Sequence, residues 1–157
     1  MMSLPDAGIT KVVGLIEVLH DHGSEDETVK LAEYLQLDLD TLLPVVEAGE
    51  MLGFITISGG KIKLTEIGIS LIGNKISERK AVIGKKVVLL EPFKKLLELL
   101  KTKKNGRIQK KTIQKILRQE LPREQADKTL SKLIEWGRHV DLIGYEADSE
   151  ELYLANP

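Results

Sequence analysis

A pair of glycines, Gly59-Gly60, separates two short stretches in which apolar and polar residues alternate. These stretches are residues 54–58 and 61–64. Alternation with a period of two is typical of a half-buried β-strand, and glycine accepts the positive φ angles that tight hairpin turns require. The sequence therefore predicts a β-hairpin here, and the hairpin limits the folds open to the residues around it.

Three stretches before the hairpin carry apolar residues at helical spacing. They cover residues 9–20, a segment that follows Ser24 and the acidic residues 25–27, and residues 40–52. We interpret the acidic residues as the start of the second helix, where negative charge stabilises the helix dipole. Three short helices followed by a hairpin have the element order of a winged helix-turn-helix.

The same element order recurs in the second half of the chain. Helical patterns begin near Glu91, Lys110 and Arg123, a short extended piece covers residues 107–109, and a second hairpin is predicted for residues 140–154. We predict an α+β, mostly helical fold with two winged helix-turn-helix units in tandem, joined by a helical linker. The predicted divisions are residues 1–74 for the first unit with a trailing helix, 75–91 for a basic helical linker and 92–157 for the second unit.

The net charge of -1 conceals three segments of opposite sign. Residues 1–74 have a net charge of -8, residues 75–118 of +12 and residues 119–157 of -5. Such segregation indicates either a charged partner or segments that neutralise each other.

The basic segment leaves three interpretations open. It can be compensated internally by the acidic segments, it can attract the phosphates of DNA through counterion release, or it can attract an acidic protein surface. The candidate contact residues for DNA or an acidic partner are Lys94, Lys95, Lys101, Lys103, Lys104, Arg107, Lys110, Lys111, Lys115 and Arg118.

DNA reading by the first winged helix is disfavoured by its predicted third helix. That helix would enter the major groove, yet it carries Glu47 and Glu50 and no lysine or arginine. The third helix of the second copy has mixed charges. A DNA-binding transcriptional regulator would therefore use the second copy and the basic central segment.

Several motifs resemble one known family. They are Trp136-Gly137-Arg138 with the following Tyr145, the stretch Glu78-Arg79-Lys80, and two segments at residues 42–54 and 64–68. Together they resemble the AAA-associated C-terminal domain family, whose members lie behind the ATPase domain of nitrate/sulfonate-type ABC transporters. The resemblance implies an accessory module that attaches to or regulates a transport ATPase, with no catalytic residues to carry over. Since no ATPase domain precedes these motifs, we expect a stand-alone chain.

No residue pattern in the sequence indicates catalysis. Gly84-Lys85-Lys86 lacks the upstream glycine and the hydroxyl residue of a P-loop, and no Gly-x-Ser-x-Gly elbow is present. His20 and His22 are two residues apart, which is a poor spacing for a metal site on a helix. We expect no cofactor and no enzymatic activity. Because no apolar run approaches the length of a membrane span, we also expect a cytoplasmic protein with no membrane insertion.

The single tryptophan, Trp136, has two interpretations. Tryptophan is enriched at partner-binding surfaces, but the spacing of Trp136 with Leu133 and Val140 favours core packing between the last helix and the second hairpin. We therefore predict that Trp136 is buried.

Overall fold

The computed structural model describes residues 2–155 and has a mixed α+β fold in which helices predominate. The helices of this range are α1 (Ile9–Asp21), α2 (Thr28–Leu35), α3 (Leu39–Met51), α4 (Glu66–Ser70), α5 (Ile76–Val87), α6 (Glu91–Thr102), α7 (Lys110–Glu120) and α8 (Arg123–His139). Its strands are β1 (Glu25–Glu27), β2 (Ile55–Ser58), β3 (Lys61–Leu64), β4 (Arg107–Gln109), β5 (Ile143–Glu146) and β6 (Glu151–Leu154). The strands form two antiparallel sheets of three strands each.

Two compact units divide the chain. The first comprises Ala7–Arg79, and the second combines Met1–Asp6 with Lys80–Pro157. The boundary between Arg79 and Lys80 falls within α5, inside the stretch 75–91 that the sequence suggests as a linker. The finer division into residues 1–74, 75–91 and 92–157 stays a prediction.

The first unit is built on α1, α3 and the sheet of β1, β3 and β2, in which β3 is central. The predicted hairpin is confirmed: Gly59 and Gly60 both have positive φ, and Ile57 lies opposite Ile62 across the strands. Ile62 is fully buried while Ile57 is exposed. Along β3, Ile62 and Leu64 are buried and Lys61 and Lys63 are exposed, so the alternation in the sequence corresponds to one buried and one exposed side of this strand. In β2 only Ile55 is buried.

The second unit repeats this order of elements with a different sequence. Helix α6 precedes β4, α7 and α8 follow, and β5 and β6 complete a sheet with β6 in the centre. In both sheets the short first strand pairs with the last strand of the unit. Proline at the start of α6 suits the first turn, where its missing N–H costs no hydrogen bond.

Glu25, Asp26 and Glu27 were expected to form the N-terminus of a helix, and this expectation is wrong for Glu25 and Asp26, whereas Glu27 is the N-cap residue of α2. Glu25–Glu27 form β1, with Glu25 opposite Lys63 and Glu27 opposite Lys61. Helix α2 begins only at Thr28. Opposite charges across an antiparallel pair stabilise the pairing, and this partner is more than thirty residues away, so local helix signals do not reveal it.

Candidate interaction surface

The ten basic candidate residues lie on one continuous stretch of the second unit, from α6 through the following loop and β4 to α7. Apolar residues on one side of each helix are buried, among them Leu96 and Leu100 of α6 and Leu117 of α7. The helical period therefore directs most lysines of these helices toward solvent.

Three of the ten are held by carboxylates of their own unit. Lys95 Nζ is 3.2 Å from Glu120 Oε1, and Arg107 is 2.9 Å from Glu146 Oε2. The Arg118 guanidinium donates two hydrogen bonds, each of 3.0 Å, to Asp127. Internal compensation thus accounts for part of the positive charge.

The Arg118–Asp127 pair is the strongest of these contacts in geometry, because the flat guanidinium matches both carboxylate oxygens. Hydrogen bonding to Arg118 holds the pKa of the Asp127 carboxyl below its usual range, and Asp127 raises the pKa of Arg118 in turn. Both groups are therefore charged throughout the neutral pH range.

Arg107 and one further candidate, Lys110, lie over tyrosine rings of the second sheet. Arg107 is 4.9 Å from the centroid of Tyr153, and Lys110 is 5.8 Å from that of Tyr145. Tyr153 itself covers Gly144, where any side chain would collide with its ring. The hairpin of β5 and β6 thus has a partly neutralised surface, and its turn adds the exposed acidic residues Asp148 and Glu150.

The remaining candidates form the open part of the surface. They are exposed, and no ion pair with a residue of the range 2–155 is found for them: Lys94, Lys101, Lys103, Lys104, Lys111 and Lys115. Lys101, Lys103 and Lys104 also border a cavity of about 610 Å³ at the end of α6, whose walls include Leu97, Leu142 and Leu154. This region can accept a partner that carries negative charge and apolar groups.

Two residues of the family-like motif Trp136-Gly137-Arg138 pack in the core. Trp136 is fully buried and stacks on Phe93, with ring centroids 6.4 Å apart, which confirms the prediction of burial. A Cβ atom at Gly137 would lie 2.6 Å from Ile143 Cγ1, so the glycine allows α8 to pack closely against β5. Arg138 is exposed.

The other motif residues are exposed or half-buried. Glu78 is exposed in the first turn of α5. Arg79 is 3.3 Å from Glu17 Oε1 and donates to the carbonyl of Asn74, whereas Lys80 lies 3.6 Å from Asp141. Tyr145 is half-buried below Lys110. The motif residues therefore do not converge on one site.

In the first unit, α3 has an acidic and partly apolar exposed face. Glu47 and Glu50 are exposed, as the sequence predicts, and so are Leu39 and Leu43. An apolar groove of about 340 Å³ lies between α1 and α3, and Gly14 is one of its lining residues. The composition of this face is unlike that of a helix that reads DNA.

Sequence reasoning missed residues 2–6, which lie against the second unit. The Leu4 N–H donates to Thr129 Oγ1 at 3.1 Å, and Asp6 lies 3.6 Å from Lys132 Nζ, both partners being on α8. The Met2 N–H donates to Glu91 Oε1 at 2.7 Å and holds the pKa of that carboxyl below its usual range. The available signal for an extended segment was Pro5, because the residue before a proline favours extended backbone.

Neither a metal site nor a membrane-spanning helix is found in the described range. Residues 2–155 contain no group of three or more histidine, cysteine or carboxylate side chains able to hold a metal ion. His22 instead lies 2.8 Å from Asp26 and packs edge-on against Tyr34. None of the helices in the same range combines the length and the apolar composition that a bilayer crossing requires.

Comparison with known families identifies a match over most of the chain. The family model described as the C-terminal AAA-associated domain matches residues 29–146, which include the hairpin of the first unit and the helices α6, α7 and α8 of the second. No curated protein and no solved structure shows significant similarity to the chain.

Proposed function

Because the chain belongs to the C-terminal AAA-associated domain family, we propose that it is a non-enzymatic winged-helix module that attaches to the ATPase subunit of an ABC transporter. The observation that carries this proposal is the family match over residues 29–146. In the proposed arrangement the partner hydrolyses ATP in the cytoplasm, and this chain regulates or positions it.

The winged-helix assignment is part of the proposal. It is supported by the order helix, strand, helix, helix, strand, strand in each unit, and by the pairing of the first strand with the last. In such a fold the third helix and the hairpin are the usual contact elements. The acidic face of α3 and the neutralised hairpin of β5 and β6 favour a protein partner over a nucleic acid.

Co-purification tests the proposal directly. The tagged full chain is mixed with purified ATPase subunits of a nitrate/sulfonate-type ABC transporter from the same organism, and ATP hydrolysis is measured with and without the chain. We expect a stable complex and a changed hydrolysis rate. An unrelated ABC ATPase serves as the control, and absence of any complex with the cognate subunits would contradict the proposal.

A second candidate function is DNA binding by the second unit, as in a transcriptional regulator. The observation that favours it is the group of exposed lysines on α6, its loop and α7 for which the described chain offers no ion pair. Such lysines release counterions when they contact phosphates, so affinity would fall steeply with salt.

Fluorescence anisotropy with random duplex DNA tests this candidate. Binding that weakens by roughly 10³-fold or more between about 50 and 200 mM salt would indicate contacts to several phosphates. Replacement of Lys110, Lys111 and Lys115 by glutamate should then abolish binding. An unchanged affinity in this triple variant would contradict DNA binding through the basic segment.

A further inference from the structure

Residues 2–6 lie along a surface of the second unit formed by Glu91 of α6 and by Thr129 and Lys132 of α8; we call this surface the 91–132 groove. The contacts alternate along the segment: Met2 reaches Glu91, Leu4 reaches Thr129 and Asp6 reaches Lys132. The N–H groups of Met2 and Leu4 and the carboxylate of Asp6 thus contact the unit at every second residue, which is the spacing of a chain that lies along a groove.

The groove recognises both the backbone and the side chains of the segment. The N–H groups of Met2 and Leu4 donate to Glu91 and Thr129, while Leu4 itself is 4% exposed. Among residues 2–155, Thr129 is the single polar side chain in the buried set, and its hydroxyl accepts the Leu4 N–H. Backbone hydrogen bonds provide affinity in peptide recognition, and pockets for alternate side chains provide specificity.

The segment has no regular secondary structure and pairs with no strand. The elements of the second unit from α6 to β6 form their sheet and their helix contacts without it. Pro5 fixes its own φ and biases Leu4 toward extended backbone, so a segment with this sequence is partly preorganised for the groove.

We propose that the 91–132 groove is a docking site for an extended segment of a partner protein, which carries an apolar residue followed two positions later by a carboxylate, and that residues 2–6 occupy the groove in cis. The inference rests on the proposed function, since it assigns a surface through which the protein partner is held. A tethered segment competes at high effective concentration, so the partner binds only when residues 2–6 are displaced.

The lysine at the end of the groove determines the charge preference. Lys132 Nζ lies 3.6 Å from Asp6 and 2.7 Å from Glu135, and its side chain is mostly buried at 13% exposure. A carboxylate at the position of Asp6 is attracted to this cation, and a lysine there is repelled. Swapping the two charged residues between the groove and the peptide therefore distinguishes specific docking from nonspecific binding.

A labelled peptide of residues 2–8 tests the inference. The probe is acetylated Met-Ser-Leu-Pro-Asp-Ala-Gly with a fluorophore at its C-terminus, and its anisotropy is followed on addition of the full chain. The groove is emptied by the double substitution Leu4→Asp and Asp6→Lys, with deletion of residues 2–6 as the second variant. Circular dichroism and the fluorescence of Trp136 check that both variants fold.

We expect the peptide to bind the emptied variants at least about tenfold more tightly than the unaltered chain, since the segment in cis must first leave. Adding Lys132→Glu to the variant that lacks residues 2–6 should abolish binding, and a peptide with lysine in place of Asp6 should restore it. The control is Lys30→Glu, which changes the charge equally in the other unit and should leave peptide binding unaltered.

Equal binding to the emptied and unaltered chains, no binding to a folded emptied variant, or no rescue by the lysine peptide would each overturn the inference. Unfolding of both variants would overturn it as well, because the segment would then be part of the core. If peptide docking fails while the ATPase subunit still co-purifies, the groove assignment is wrong and the proposed function stands. If the peptide docks but no ATPase complex forms, the groove assignment stands and the proposed function is wrong.

Discussion

Two glycines in helices illustrate how single residues control packing in this chain. Gly137 lies where α8 contacts β5, and an added Cβ would lie 2.6 and 2.9 Å from two atoms of Ile143. At Gly14 in α1 an added Cβ would meet no atom within 4 Å. The same residue type therefore has a packing role at one position and only weakens the helix at the other.

Substituting Gly137 by alanine should destabilise the protein by about 1–3 kcal/mol, since Ile143 must move to admit the methyl group. The matched control, Gly14→Ala, should stabilise it by up to about 1 kcal/mol, because alanine is the better helix former. Thermal unfolding followed by circular dichroism measures both effects. Equal melting temperatures for the two variants would contradict the packing role of Gly137.

The pKa of Asp127 gives a second test at this scale. Arg118 holds that pKa below its usual range, so the pair contributes stability that is present at neutral pH and is lost as pH falls through the folded-state pKa. We expect Arg118→Gln to move the pKa of Asp127 upward, as followed by NMR titration of its carboxyl carbon. Lys104→Gln is the control, and an unchanged Asp127 titration in R118Q would show that the pair does not form in solution.

At the scale of elements, β1 shows how a pairing between distant residues overrides a local signal. Its three residues are all acidic, and their neighbours on β3 place Lys63 opposite Glu25 and Lys61 opposite Glu27. The corresponding strand of the second unit, β4, pairs Gln109 with Glu151 and carries no such ladder of opposite charges. In the second sheet the charge contacts come instead from Arg107 of β4, whose guanidinium lies 2.9 Å from Glu146 and 3.7 Å from Glu151.

Reversing both lysines, Lys61→Glu and Lys63→Glu, places like charges opposite each other on β1 and β3. We expect a loss of about 0.2–1 kcal/mol for each pair, read from urea unfolding. Restoring the complement with Glu25→Lys and Glu27→Lys should recover most of that stability. If the fourfold variant is no more stable than the double variant, the β1–β3 register is wrong.

At the scale of the whole molecule, charge is distributed unevenly along the chain. The segment 75–118 has a net charge of +12, of which only part is matched by carboxylates of the second unit. Exposed charge of one sign accelerates association with an oppositely charged partner and makes the rate dependent on salt. The open lysines at the end of α6 are thus expected to guide an acidic partner to the second unit.

The triple variant Lys101→Glu, Lys103→Glu and Lys104→Glu should slow association with the ATPase subunit and reduce its dependence on salt, with little change in melting temperature. Surface plasmon resonance at two salt concentrations gives the rates. The variant with glutamate at Lys11, Lys30 and Lys128 has the same net charge and serves as the control. If both variants slow association equally, net charge rather than this surface governs it.

The sequence by itself determined the features that depend on neighbours along the chain. Helical spacing predicted α1, α6 and α8, the glycines at 59 and 60 predicted the hairpin, and the family-like motifs predicted a membership that the match over residues 29–146 confirms. Each of these depends on backbone preferences or on periodic burial within a few residues, which a single sequence displays directly.

Only the tertiary structure decided the features that join distant residues. The assignment of Glu25–Glu27 to a strand, the pairing of Lys95, Arg107 and Arg118 with carboxylates, and the docking of residues 2–6 on α8 all depend on such contacts. The physical reason is that a charged residue or an extended segment could pair with many other residues of the chain, and the sequence does not show which. The folded backbone selects one of them by bringing it within a few ångströms.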